Sequence, residues 1–269
     1  VAVPFSYAMN GVSLGLAPIM QYGTLQMSHQ TLAGPLASPK SSDTAFGFEI
    51  GATYDLKEVG VEGLTLGAVY KSEIKYDIDD VINNALAGME ALGQTPNYTQ
   101  DKMATPAEFG VGVSYTMKEH TIAVDYRNIK WEDEEVYKDF GWEDQDVIAI
   151  GYEYATNDWS VRCGYQYAES AVQDNMGKNL AIDATHSANM NGMMGVPLGT
   201  TSLTNSFNLL GFPGTQESHI TLGGTYAINE TLSIDLAAVY GLVDTETFTV
   251  FTGEHITRLH PEQKYYFQV

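Results

Sequence analysis

The sequence predicts a membrane-spanning, antiparallel up-and-down β-barrel, and three observations predict it. About eleven segments set apolar residues against small or polar ones with a period of two. The connections between them are alternately tight and long, as in barrels that cross a bilayer. Tyrosine stands on the apolar parity at both ends of the segments, where the two edges of a lipid layer would be.

Taken in order, 3–8 is a partial strand. Segment 12–28 is a full one in which Pro18 and a change of parity near Tyr22 predict a bulge. In 44–56, Phe46, Phe48, Ile50, Ala52 and Tyr54 oppose Gly47, Glu49, Gly51 and Thr53. A single strand over 62–78 sets Leu64, Leu66, Tyr70, Ile74 and Tyr76 against Thr65, Gly67, Lys71, Glu73 and Lys75. The stretch "EFGVGVSYTMKEHTIAVDY", 108–126, reads as one hairpin turning at Met117–Glu119, with Phe109, Val111, Val113, Tyr115, Ile122, Val124 and Tyr126 on one face. The same alternation returns in 146–156, 158–167, 218–228 and 231–240, and 256–269 is a ragged last strand. Asn10–Gly11, Thr156–Asp158 and Asn229–Glu230 are further tight turns, and Lys57–Val61 is slightly longer. The long connections are 29–43, 78–102, 132–145, 169–215 and 243–255.

The alternative is a water-soluble β-sandwich whose apolar parity is its core. Tyr54, Tyr115, Tyr154 and Tyr226 fall just before short turns, and Tyr70, Tyr76, Tyr126, Tyr165, Tyr167 and Tyr240 toward the long loops. A dry core seldom carries tyrosine at both ends of nearly every strand, so the apolar face is assigned to lipid. The opposite parity, rich in glycine, alanine and serine, suits a crowded lumen.

Composition narrows the function. There are 34 acidic and 13 basic residues, a formal charge of -21, which repels phosphates and excludes nucleic-acid binding. A single cysteine, Cys163, excludes a disulfide framework and sits on the lipid parity as a small apolar filler. The six histidines show no metal-ligand spacing and no nucleophile elbow is present, so neither catalysis, cofactor nor metal is expected. No run reaches the ~18 apolar residues of a membrane helix. The opening "VAVPFSYAMNG" lacks the basic start and apolar core of a secretory signal, as a mature product or a fragment would.

Two long outward loops carry candidate ligand-binding residues. In "DDVINNALAGMEAL", Val81, Ile82, Leu86 and Met89 recur at helical spacing after aspartates suited to capping, predicting a short helix in loop 78–102. It either lines an entry groove or packs its stripe on the barrel rim. Loop 169–215 holds Met193, Met194, Phe207, Leu210 and Phe212, flexible apolar side chains that fit promiscuous ligands or fold over themselves as a lid. On the lumen parity, Arg127 is placed to pair with Glu108 or Glu153, and Arg162 with Glu153 or Asp235; Asp125 shares that face. These charges brace the lumen, or Arg127 or Arg162 grips a carboxylate in two-pronged fashion.

At this point the residues also resemble a known family. "TPAEFGVGVSYTMKEHTIAVDYRNIKWED", with its Pro-Ala-Glu at 106–108, "FGWEDQDVIAIGYEYATNDWSVRCGYQYAES", and "NLLGFPGTQESHITLGGTYAINETLSIDLAAVY", with Gly-Phe-Pro at 211–213, are similar to the C-terminal half of the FadL outer-membrane transporters. "GVSLGLAPIMQYGTL" and "LTLGAVYKSEIKYD" are similar too. The likeness runs from about residue 3 and is strongest over 103–243. It implies a fourteen-stranded barrel with an N-terminal plug, of which residues 1–269 would be a single barrel domain lacking the plug and the first three strands. It further implies passive uptake of long-chain fatty acids or other hydrophobic compounds across the bacterial outer membrane: loop capture, lumen binding and lateral release. The expected partners are hydrophobic small molecules, outer-membrane lipid and lipopolysaccharide, with the chain acting as a monomer. A general diffusion porin and a structural or adhesin barrel are the competing functions.

Overall fold

A chain whose apolar and small residues alternate can satisfy its peptide groups only in ladders with its neighbours, and the structure is built almost wholly from such ladders. The computed structural model describes residues 1–31, 34–82, 101–175, 205, 208, 216–249, 255–260 and 263–268. Eleven strands form one antiparallel sheet. In chain order they begin with β1 (Phe5–Met9), β2 (Val12–Leu25), β5 (Ser41–Asp55), β6 (Leu64–Lys71) and β9 (Glu108–Met117). They continue with β10 (His120–Ile129), β11 (Gln145–Ala155), β12 (Trp159–Ala168), β13 (Ser218–Asn229), β14 (Leu232–Gly241) and β17 (Gln263–Gln268). Each pairs with the next in that order, the up-and-down meander that the alternating turns require.

The remaining strands are small hairpins on the long connections: β3 (Ser28–Thr31) with β4 (Gly34–Ala37), β7 (Ile74–Asp77) with β8 (Lys102–Thr105), and β15 (Asp244–Thr249) with β16 (His255–His260). Connection 29–43, expected as a loop, therefore carries most of a strand pair of its own; β15 lies in the expected loop 243–255, and the ragged strand expected over 256–269 is divided between β16, which pairs with β15, and β17, which joins the wall. A short helix, α1 (Glu135–Asp139), lies in connection 132–145, and Val81 and Ile82 in connection 78–102 are helical as well.

Faces follow parity. In the hairpin 108–129, Val113 stands opposite Val124 and Tyr115 opposite Ile122. These four are exposed, as are Phe46, Ile150, Leu222 and Tyr226, so the apolar face points away from the interior. Tyr115 and Tyr226 near the short turns, and Tyr70, Tyr126, Tyr165, Tyr167 and Tyr240 toward the long loops, all stand on that outer face. Among the described residues no helix is long and apolar enough to cross a membrane; this wall crosses with strands.

Two sequence expectations fail here. No bulge interrupts β2: it pairs with β5 in unbroken register from Val12–Tyr54 to Leu25–Ser41. The change of parity near Tyr22 is real in chemistry but not in geometry, because Ile19, Leu25 and Met27 point inward onto a buried cluster. The strand expected over 62–78 is two strands: β6 stays in the wall, β7 leaves it, and Ile74 and Tyr76 are buried instead of facing lipid. Tyr76 is thus no part of the outer collar.

The orientation is testable on two adjacent residues. Val113→Arg places a cation on the outer face at mid-strand and is expected to lower unfolding free energy in lipid vesicles by about 2–4 kcal/mol. Ser114→Arg, one residue on and facing inward, should change it far less; denaturant titration of both variants measures the difference.

Candidate functional site

The long-loop end of the lumen is filled by apolar segments folded inward. The first begins at Ser72, whose N–H donates to the Phe48 carbonyl at 2.9 Å while its Oγ accepts the Phe48 N–H at 2.9 Å. A side-chain oxygen thus stands in for the main-chain partner that β5 would lose, and the chain turns off the wall without orphaning it. It then crosses the inner face of β5 and β2 at two glycines. A Cβ at Gly47 would lie 2.6 Å from Ile74 Cγ1 and 2.7 Å from Ser72 Oγ, and one at Gly23 would lie 3.2 Å from the Tyr76 ring. Only a bare backbone lets β7 lie that close. Beyond it Ile78, Val81 and Ile82 are buried, and the Asp101 carboxylate accepts the N–H groups of Asp80 at 2.9 Å and Ile82 at 3.0 Å.

The second segment, 131–143, is a loop pinched at its neck. The Lys130 ammonium meets the Asp144 carboxylate at 2.5 Å, and Asp144 also accepts the Glu132 N–H at 3.3 Å. Inside the loop Trp131, Tyr137 and Trp142 stack mutually, ring centroids 4.7 Å (Trp131–Tyr137), 5.1 Å (Trp131–Trp142) and 4.7 Å (Tyr137–Trp142) apart. Such aromatic pairs add to what their buried area contributes. Val136 and Phe140 of the α1 turn complete the face. Among these apolar groups Glu134 is only 2% exposed. Burial pushes its carboxyl up to about 7; Lys75 opposes the shift, and Asp133 and Glu135 add to it.

Three buried asparagines lock the third segment to the second. Asn175 and Asn208 both donate to the Phe140 carbonyl, at 3.3 and 2.8 Å, and Trp142 Nε1 donates to Asn208 Oδ1 at 3.3 Å. The Asn175 N–H donates to Asn205 Oδ1 at 3.0 Å, and Asn205 donates to Asp174 at 2.6 Å. Ala171 and Val172 add apolar surface, as does Phe248 of β15. The inner-face residues Ile19, Leu25, Met27 and Ala45 form the floor against which all three segments pack.

Below this cluster the inner face is made mostly of small residues, with polar and charged groups among them. A cavity of about 650 Å³ borders Ser13, Gly51, Thr53, Thr65, Gly67 and Asp125. One of about 490 Å³ borders Thr121, Glu153, Arg162 and Gln166. Arg127 meets Glu108 at 3.0 Å and Arg162 meets Glu153 at 2.7 Å, each one of the two partners the sequence allowed. Arg162 also donates to Thr225 at 2.8 Å, and that hydroxyl donates to Asp235, so a link joins β11 to β14 across four strands. Asp125 lies over Gly112, its cross-strand partner.

Of the expected ligand-binding residues, Val81 and Ile82 are buried in the cluster. Leu86, Met89, Met193, Met194, Phe207, Leu210 and Phe212 lie outside the described residues. Sequence reasoning missed Trp131, Tyr137, Phe140 and Trp142, although "WEDEEVYKDFGW" carries a dense aromatic signal for so acidic a loop.

A lipid-facing β wall with an apolar, loop-filled mouth defines a class: the outer-membrane β-barrel channels. Within it the chain belongs to the outer membrane protein transport family (OMPP1/FadL/TodX), whose family model matches residues 6–185. Among solved structures it is similar to the Pseudomonas putida toluene transporter TodX, at 15% identity and TM-score 0.54, with 91% of this chain and 64% of that one covered. It is also similar to a Pseudomonas aeruginosa FadL homologue, at 14% and 0.52, covering 98% and 64%. The Ralstonia pickettii toluene transporter TbuX aligns at 16% and 0.51, covering 90% and 62%. The chain thus spans a little under two thirds of the length of these relatives. No curated protein sequence matches it.

The asparagine lock can be weighed directly. Asn208→Ala removes the acceptor that Asn208 offers Trp142 Nε1 and one of the two asparagine donors to the Phe140 carbonyl, an expected loss of about 2 kcal/mol in local stability. Amide exchange in 136–143 should then quicken about thirtyfold while strand amides are unchanged.

Proposed function

We propose that this barrel is a passive channel for hydrophobic compounds, which enter through the apolar mouth and descend into the lumen. The observation that carries the reading is the mouth itself: Trp131, Tyr137, Trp142, Ile74, Val81 and Ile82 gather inside the barrel wall, where a water-filled pore would carry polar groups. A hydrocarbon replaces these contacts with equivalent ones of its own and leaves water at about 25 cal/mol per Å² of surface. The family membership supports the reading, as do relatives described as a toluene transporter and as monoaromatic hydrocarbon channels.

The finer assignments belong to this proposal too. Val81 and Ile82 form the inner wall of the entry, with Leu86 and Met89 continuing it along loop 78–102. Loop 169–215, through Met193, Met194, Phe207, Leu210 and Phe212, supplies the outer lid. The plug, the three further strands and the exit that the family resemblance implies would lie outside these residues, and the working unit would be a monomer in outer-membrane lipid and lipopolysaccharide. Arg127 and Arg162 are engaged by Glu108 and Glu153, which favours a bracing role and a cargo without a carboxylate.

Uptake into proteoliposomes carrying the full-length protein tests this. Toluene transfer well above that of empty vesicles is expected, with little swelling in sugars; sugar permeation without toluene transfer would replace the reading with a diffusion porin, and neither with a structural role. Arg162→Leu separates cargoes. It should leave toluene transfer intact, and a selective loss of oleate transfer would restore Arg162 as a carboxylate ligand.

A further inference from the structure

Among the described residues, Glu134 is the one carboxylate or base buried from water, and its Oε2 has no hydrogen-bond partner there. Its main chain is fixed on both sides: its N–H donates to the Trp131 carbonyl at 3.2 Å, and its carbonyl accepts the Lys138 N–H at 2.8 Å. With the main chain held and the residue 2% exposed, the carboxylate gains water by leaving the apolar cluster. The segment is held at two points that frame this movement, the Lys130–Asp144 neck and the asparagine lock on Phe140.

We propose that Glu134 is a proton-operated latch on the mouth: with its carboxyl neutral, residues 131–137 stay tucked inside, and ionisation drives the side chain to water and carries Trp131 and Tyr137 with it. An unpaired carboxylate in an apolar setting is too costly to persist, so either the proton or the position must give way.

The charges around it make the setting acidic on balance. Asp133 and Glu135 flank it on its own segment and favour the neutral form, and the Tyr137 hydroxyl is its neighbour. From β7 the facing cation is Lys75, half exposed and already held by Glu73 at 2.7 Å. From β8, which packs on α1, the only charged residue is Lys102, and it is exposed. The sign follows from the carboxyl's rise from 4.5 to about 7 on burial. The tucked form binds the proton more tightly, so its stability is whole below about pH 4.5, falls as pH rises through the window up to about 7, and then levels off. The mouth is closed in acid and loosened in neutral to alkaline medium. This goes beyond the transport reading and needs only the segment's place in the mouth.

Tryptophan quenching reads the latch without any cargo. With Trp159→Phe, Trp131 and Trp142 are the only tryptophans left in residues 1–269, and acrylamide quenching is followed from pH 4 to 9. A sigmoidal gain in quenching that takes place between about pH 4.5 and about 7 and then levels off is expected. Glu134→Gln should hold quenching at the low acid level throughout, and Lys75→Met, which removes the opposing cation, should raise the plateau reached above about pH 7. A flat curve in the parent, or a curve that neither substitution alters, overturns the proposal; should Glu134→Gln fail to fold, the Lys75→Met plateau decides alone.

Discussion

Between lipid tails a peptide group has no water to turn to, and each one left unpaired costs several kcal/mol. Every other feature of this chain is subordinate to that constraint. It makes the wall a continuous ladder from β1 to β17 and confines irregular backbone to the strand ends. It also explains the care with which β7 leaves the wall, where the Ser72 hydroxyl takes the place of a departing carbonyl for Phe48. Along the ladder side chains differ by face: large and apolar outside, mostly small within below the apolar mouth.

The same constraint shapes the loops. Long connections that carry apolar residues cannot leave them in water and cannot insert irregular backbone into lipid, so they fold onto the inner face of the wall. Burying non-repetitive backbone there creates its own demand for partners. Asn175, Asn205 and Asn208 meet it, each offering both a donor and an acceptor to a chain turn that has no ladder of its own. The second and third segments are therefore mutually dependent: the Phe140 carbonyl accepts from two asparagines of the returning loop, and the Trp142 indole donates to one of them.

How much of this was legible beforehand follows from what a period of two encodes. It reports which side chains share a face, and it located the eleven wall strands, their tight turns and the outward tyrosines. It also allowed the right partners for Arg127 and Arg162, since Glu153 and Arg162 are direct cross-strand neighbours. A period does not report the solvent beyond the face. Ile74 and Tyr76 continue the parity of Leu66 and Tyr70 without a break, yet the chain turns inward at Ser72 and the same face meets protein instead of lipid. In β2 the reverse occurred: Ile19 and Leu25 looked like a slip in register because apolar residues were expected only outside. Both errors have one origin, the assumption that the inner face stays polar along its whole height. The aromatic cluster of 131–142 escaped for a related reason, its rings being scattered among acidic residues in a connection too short to show a helical period.

The division of the interior into an apolar mouth and a polar lower lumen bears on how a passive channel would work. A small hydrocarbon with roughly 200 Å² of surface gains about 5 kcal/mol on leaving water, enough to be retained in the mouth for a long time if that were its only seat. Downward movement then depends on the next seat being weaker in apolar contact yet still sheltered. The lower lumen would offer this: glycine, alanine, serine and threonine are prominent in its walls, and Arg127 and Arg162 there are each held by a carboxylate. In such a channel capture and release would fall at different heights of one wall, and the concentration gradient alone would set the direction.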